Sequence, residues 1–183
     1  MVSIIAPAGG RKNYVGHDVP KHNLAAYSQQ ARHLYYPGSN TKIYAVGKRN
    51  TFNHNEFDLG PDMDENFART IVTHIKKADP SSPQPLTLDV FGKDASMGDL
   101  VKIYRLIGAG FKVPSEIHQN GVRDHLCGKI YTADPFELHH FKVIAENLDF
   151  DRGLVHSAMD RVVYLHIKEQ LDDTVKQQVE DYC

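Results

Sequence analysis

The side chains of this chain that could do chemistry are its histidines and cysteines. The densest group is His118, His125, Cys127, His139 and His140. A structural zinc site takes about four converging ligands, in short paired spacings such as Cys-x2-Cys or His-x3-His. Neither spacing occurs in this group. On a helix, His125 and Cys127 point to different faces, and so do the adjacent His139 and His140. The expectation is surface or half-buried histidine, with a charge that responds to pH near neutrality. A nucleophilic Cys127 would need a base in reach and an oxyanion donor. It stands beside Leu126 in an apolar helical pattern, which reads as a packed thiol. A small metal-dependent hydrolase built on His125, Cys127, His139 and His140 is the enzymatic alternative.

The other chemical motifs are incomplete. Ser28 has no Gly-x-Ser-x-Gly context. Gly9-Gly10-Arg11-Lys12 lacks the spacing of a phosphate-binding loop. Asp58, Asp62, Asp64 and Glu65 lack the alternation and the late Glu of a calcium loop; they read as a strand end followed by helix-capping acids. His156 and Asp160 are four apart on a helix, a spacing that suits a structural pair. No catalytic, cofactor-binding or metal-ligating residue is therefore assigned, and no cofactor is expected.

The elements behind these residues follow from pattern. Ile4-Ile5 and Tyr14-Val15 each suit a short strand. Asp18 reads as a helix N-cap, with Pro20 in the first turn and Leu24, Tyr27, Ala31 and Leu34 at helical spacing. Tyr35-Tyr36-Pro37-Gly38 ends that helix. Residues 37–55 read as a long polar loop, with room for a strand at Ile43-Val46. Glu56-Leu59 alternates as a strand. Asp62 or Asp64 then caps a helix carrying Phe67, Ile71, Val72 and Ile75. A proline-rich loop, 79–85, leads to another expected strand, Leu86-Phe91. Ser96-x-x-Asp99 has capping-box spacing before Leu100, Ile103, Tyr104, Ile107 and Phe111, one apolar face stopped by Pro114. Ser115 opens a helix ending near Gly128. Asp134-Pro135 opens another, with Phe136, His140, Val143 and Ile144. Asp151 starts a long helix with Leu154, Val155, Ala158, Met159, Val162, Val163 and Leu165, and a polar tail runs from Thr174 to Cys183. Few short strands with helices in the majority make an α+β fold.

Three stretches resemble the BTB/POZ domain, in the divergent form common in fungal proteins. Val19-Pro20-Lys21-His22-Asn23-Leu24 to Ser28 corresponds to the helix that such domains open with Val-His-Lys, here with lysine and histidine exchanged. Glu56-Phe57-Asp58-Leu59-Gly60-Pro61-Asp62-Met63-Asp64 followed by an apolar helix corresponds to the strand, acidic step and helix that come next. Leu100-Val101-Lys102-Ile103-Tyr104-Arg105-Leu106-Ile107 through Val113-Pro114 corresponds to the later Leu- and Tyr-bearing helix. The opening strand pair is expected to be short or missing. The resemblance implies a BTB/POZ-like domain over 1–130, with 131–183 as a helical extension packed on it.

It also implies a non-enzymatic adaptor or scaffold, by self-association as a homodimer or by recruiting a protein such as a cullin-type scaffold or a transcriptional regulator. A Skp-like subunit of a larger assembly, binding a partner's helix with its C-terminal helices, is the other reading. The candidate contact residues are Ile4 and Ile5, as an edge strand, and the aromatics Tyr35, Tyr36, Phe52 and Phe57 beside the long loop.

Composition narrows the partner class. The net charge is −2 with histidine neutral, and Lys and Arg are scattered; nucleic acid recognition needs clustered positive charge. No apolar run nears the roughly 20 residues that cross a bilayer. Two cysteines, Cys127 and Cys183, make no secreted disulfide framework. An intracellular protein of cytoplasm or nucleus is the expectation.

Overall fold

A computed structural model describes residues 1–37, 55–91, 95–113, 120–133 and 136–168. The expected strand at Ile43-Val46, Phe52, His118, Asp134-Pro135 and the tail from Thr174 lie outside them. The fold is mixed α+β.

Strands β1 (Val2–Ile5), β2 (Tyr14–Val19) and β3 (Glu56–Asp58) form one sheet in the order β2-β1-β3. β1 runs antiparallel to β2, with Val2 opposite Val19 and Ile5 opposite Tyr14, and parallel to β3, with Ile4 opposite Phe57. The opening pair expected to be short or missing is thus present, and it builds two thirds of the sheet. Val2, Ile4 and Phe57 face the core, whereas Ser3 and Glu56 alternate outward, the two-residue period of a sheet with one buried face. A parallel β1–β3 pair needs a crossover, and two short helices lie within it. They are α1 (Lys21–Tyr27) and α2 (Gln29–Tyr35).

Asp18 does not cap α1. It takes a left-handed backbone (φ 52°) at the end of β2, and Pro20 is the residue at the cap position. The helix expected to run on through Ala31 is broken at Ser28. That residue is fully buried and extended, and its Oγ accepts the amide of Ala31 at 3.1 Å. Leu24, Tyr27 and Ala31 still reach the core, because the break folds α2 back against α1.

Helix α3 (Glu65–Lys77) starts where the acids predict: Asp64 Oδ1 accepts the amides of Asn66 and Phe67 at 3.0 and 3.1 Å. Ala68, Ile71, Val72 and Ile75 are buried; each branched side chain taken fully from water contributes about 2 kcal/mol. Val72 packs against Gly16 of β2, where any Cβ would overlap Val72 Cγ1. At its other end α3 is closed by α1: Asn23 Nδ2 donates to the carbonyls of Ile75 and Ala78, each at 2.9 Å.

Leu86–Phe91 is not a strand. Leu86 alone among these residues is buried, no strand among the described residues pairs with the segment, and Leu88–Val90 coil into a 3-10 turn. Helix α4 (Met97–Arg105) is capped by Ser96 Oγ, which accepts the Asp99 amide, and it continues into a π turn over Leu106–Gly110. Its predicted face is buried throughout: Leu100, Ile103, Tyr104, Ile107 and Phe111. Helix α5 (Asn120–Thr132) runs past Gly128 instead of ending there. Helix α6 (Leu138–Asn147) is capped by Glu137, and α7 (Arg152–Ile167) follows Asp151. The apolar core is continuous from Val2 to Leu165, so α6 and α7 pack on α4 and α5.

Candidate functional site

The outward face of the sheet gathers polar and aromatic groups around Glu56. Lys12 Nζ lies 2.8 Å from Glu56 Oε2, and the Tyr14 hydroxyl donates to Oε1 at 2.9 Å. The Tyr35 hydroxyl donates to the backbone carbonyl of the same residue at 3.3 Å. Beside them the Tyr14 and His17 rings stack at 5.2 Å, and Ser3 Oγ sits 3.1 Å from His17 Nδ1. Lys21 Nζ lies over the Tyr35 ring at 5.1 Å. β1, β2 and β3 each supply members, so the sheet's pleat positions the cluster. The hydrogen bond to Glu56 raises the Lys12 and Tyr14 pKa values, and burial raises that of Tyr35. These shifts make each group a poorer proton donor; they do not activate a nucleophile. The cluster can present aromatic edges and cations to another surface.

The outer edge of the sheet is closed as well. Arg69 and Lys76 of α3 donate to the carbonyls of Tyr14 and His17 on β2, each at 3.1 Å. Covering an edge strand with side chains of a helix disfavours the addition of a further strand.

A groove of about 640 Å³ runs between α5 and α6, and His125 and His140 both line it with Asp124 and Lys129. Cys127 is half-buried against the core, and His139 is exposed and bonded to Glu137 at 2.8 Å. Among the described residues no three His, Cys, Asp or Glu side chains gather to hold a metal ion. His156 and Asp160 are exposed on α7.

The last described helix carries a second surface. Leu154, Ala158, Val162 and Leu165 of α7 are buried, while Met159, Val163 and Tyr164 are 39%, 50% and 49% exposed. Arg161 and Lys168 flank the Tyr164 ring at 5.6 and 5.9 Å. Apolar residues exposed at one-turn spacing are the side of a helix that another helix can cover.

Several expected contact residues lie elsewhere than at a surface. Ile4 and Ile5 are buried in the central strand, paired on both sides, so they do not form an edge. Phe57 is buried and stacks on Phe111 with centroids 6.3 Å apart. Its alternating strand turns Phe57 inward and Glu56 outward. Tyr35 is half-buried, and Tyr36, next to it, is 46% exposed. The residues of this cluster that pattern reading missed are the exposed Tyr14 and Lys12 and the half-buried Glu56. Their only signal was the polar phase of two short strands. No helix among the described residues is long and apolar enough to cross a membrane. Comparison with protein-family models, with curated proteins and with solved structures finds no match to this chain.

Proposed function

We propose that the chain is a non-enzymatic protein-interaction module of the BTB/POZ kind, working as an adaptor or scaffold. The observation that carries this reading is the order of elements: a strand pair, a helix pair opened at Lys21, a strand leading into the acid-capped α3, then the Leu100 helix. That is the order in which the resembling stretches occur. The polar side chains also favour binding over turnover, because Glu56 and Asp151 are spent on joining elements and His140 on capping its own helix.

The partner is a protein, a second copy of this chain included. The Skp-like reading, in which the late helices receive a partner's helix, rests on the outward Met159, Val163 and Tyr164. Capture of partners by the intact chain and by an M159K/V163K variant tests it. A partner held by the first and lost from the second supports the reading. Equal retention rejects the α7 face.

A further inference from the structure

Helix α6 begins with an unusual cap. The Glu137 backbone carbonyl accepts the amide of His140 at 3.0 Å, and in return the Glu137 amide donates to His140 Nδ1 at 3.1 Å. A capping box normally ends in Glu or Gln, whose oxygen accepts at any pH near neutral. Imidazole accepts only through an unprotonated nitrogen, so this bond fixes the neutral ring with its proton on Nε2.

We propose that His140 is a proton-operated cap on α6: the neutral ring holds the first turn closed, and a proton taken up at Nδ1 opens it. The protonated ring turns acceptor into donor and leaves the Glu137 amide without its partner.

The surroundings set the direction of the response. The ring is half-buried beside Phe136, with centroids 5.7 Å apart. Burial first, then the adjacent His139, lowers its pKa below the ordinary histidine value, and Glu137 opposes this. Across the groove α5 presents Asp124, His125 and Lys129, and α4 presents only the apolar Met97. With the folded value depressed, the unfolded chain binds more protons below about pH 6.5, so the closed turn is favoured above that pH and lost as pH falls. None of these histidines belongs to a metal-capable group among the described residues, so proton uptake is the event to follow.

The experiment is amide exchange at Glu137 in the full-length protein, normalised to the intrinsic rate at each pH, with His140→Gln and His139→Gln as variants. Glutamine keeps an acceptor that does not titrate. The proposal expects protection at Glu137 to fall about tenfold between pH 7.5 and 5.5 in the wild type and in His139→Gln, and to stay level in His140→Gln. An equal fall in His140→Gln, or no fall in the wild type, overturns it. Imidazole nitrogen shifts of the wild type give a reading that needs no variant. A proton on Nδ1 of neutral His140 also overturns it.

Discussion

The Tyr104 hydroxyl donates to Asp151 Oδ2 at 2.8 Å, across 47 positions of sequence. Arg123 Nε donates to the same oxygen at 2.8 Å, and Asp151 Oδ1 accepts the Leu154 amide at 3.2 Å. One carboxylate therefore joins α4 and α5 to the first turn of α7. The helix that offers Met159 and Val163 outward is held in place by this joint.

Removing members of the joint should cost stability in proportion to the bonds lost. Tyr104→Phe loses one hydrogen bond and should cost about 1 kcal/mol. Asp151→Ala loses the cap of α7 and both side-chain partners, and should cost about 3 kcal/mol. Urea unfolding measures both. A cost below about 0.5 kcal/mol for Asp151→Ala would show that α7 is held by apolar contact alone.

The same joint predicts both limbs of the stability curve. Burial works against the Asp151 charge, but the bonds from Arg123, Tyr104 and the Leu154 amide outweigh it and hold the pKa below 3.8. Its contribution is present above the unfolded value and is lost as pH falls through the folded one. Burial, then the bond to Asp151, raises Tyr104 well above 10.0. The unfolded chain gives up that proton first, so stability falls as pH rises past about 10. Asp151→Asn should flatten the acid limb, and Tyr104→Phe the alkaline one. Unchanged limbs in both variants would contradict the assignment.

Gly16 is required by a close approach and not by its backbone angle. A methyl group there meets Val72, so Gly16→Ala should cost about 2 kcal/mol. Val72→Ala in the same chain should recover about 1 kcal/mol of this. Additive costs in the double variant would mean that the two residues do not touch.

Elements whose ends carry chemistry were legible. Asp64 and Ser96 cap the helices that their acids and spacing announce, and the Leu100–Phe111 stripe is buried throughout. Elements set by distant neighbours were not. Leu86–Phe91 has the composition of a strand but no strand beside it among the described residues. Asp18 looks like a cap until β2 extends through it. Ser28 breaks a helical stripe without breaking its spacing. The outward cluster was missed because Glu56, Tyr14 and Lys12 meet only once β1 pairs on both sides. Phe57 was misplaced for the same reason, since strand phase and not residue type decides which side faces out.

Asn23 supplies a cap that spans two helices. Asn23→Ala takes the side-chain donor from the carbonyls of Ile75, which keeps the Ala78 amide, and of Ala78, and should cost about 2 kcal/mol. Thermal unfolding reads the loss. Amide exchange should show it first in the last turn of α3. Loss confined to α1 would contradict the role.

The proposed role as an interaction module has one direct test. The direct measurement is the native mass of the tagged chain in an extract of its own cell, at physiological salt. An interaction module gives a discrete species well above the 20.6 kDa of the single chain, reduced by the M159K/V163K change. A single species at the mass of one chain, at every concentration sampled, would contradict it.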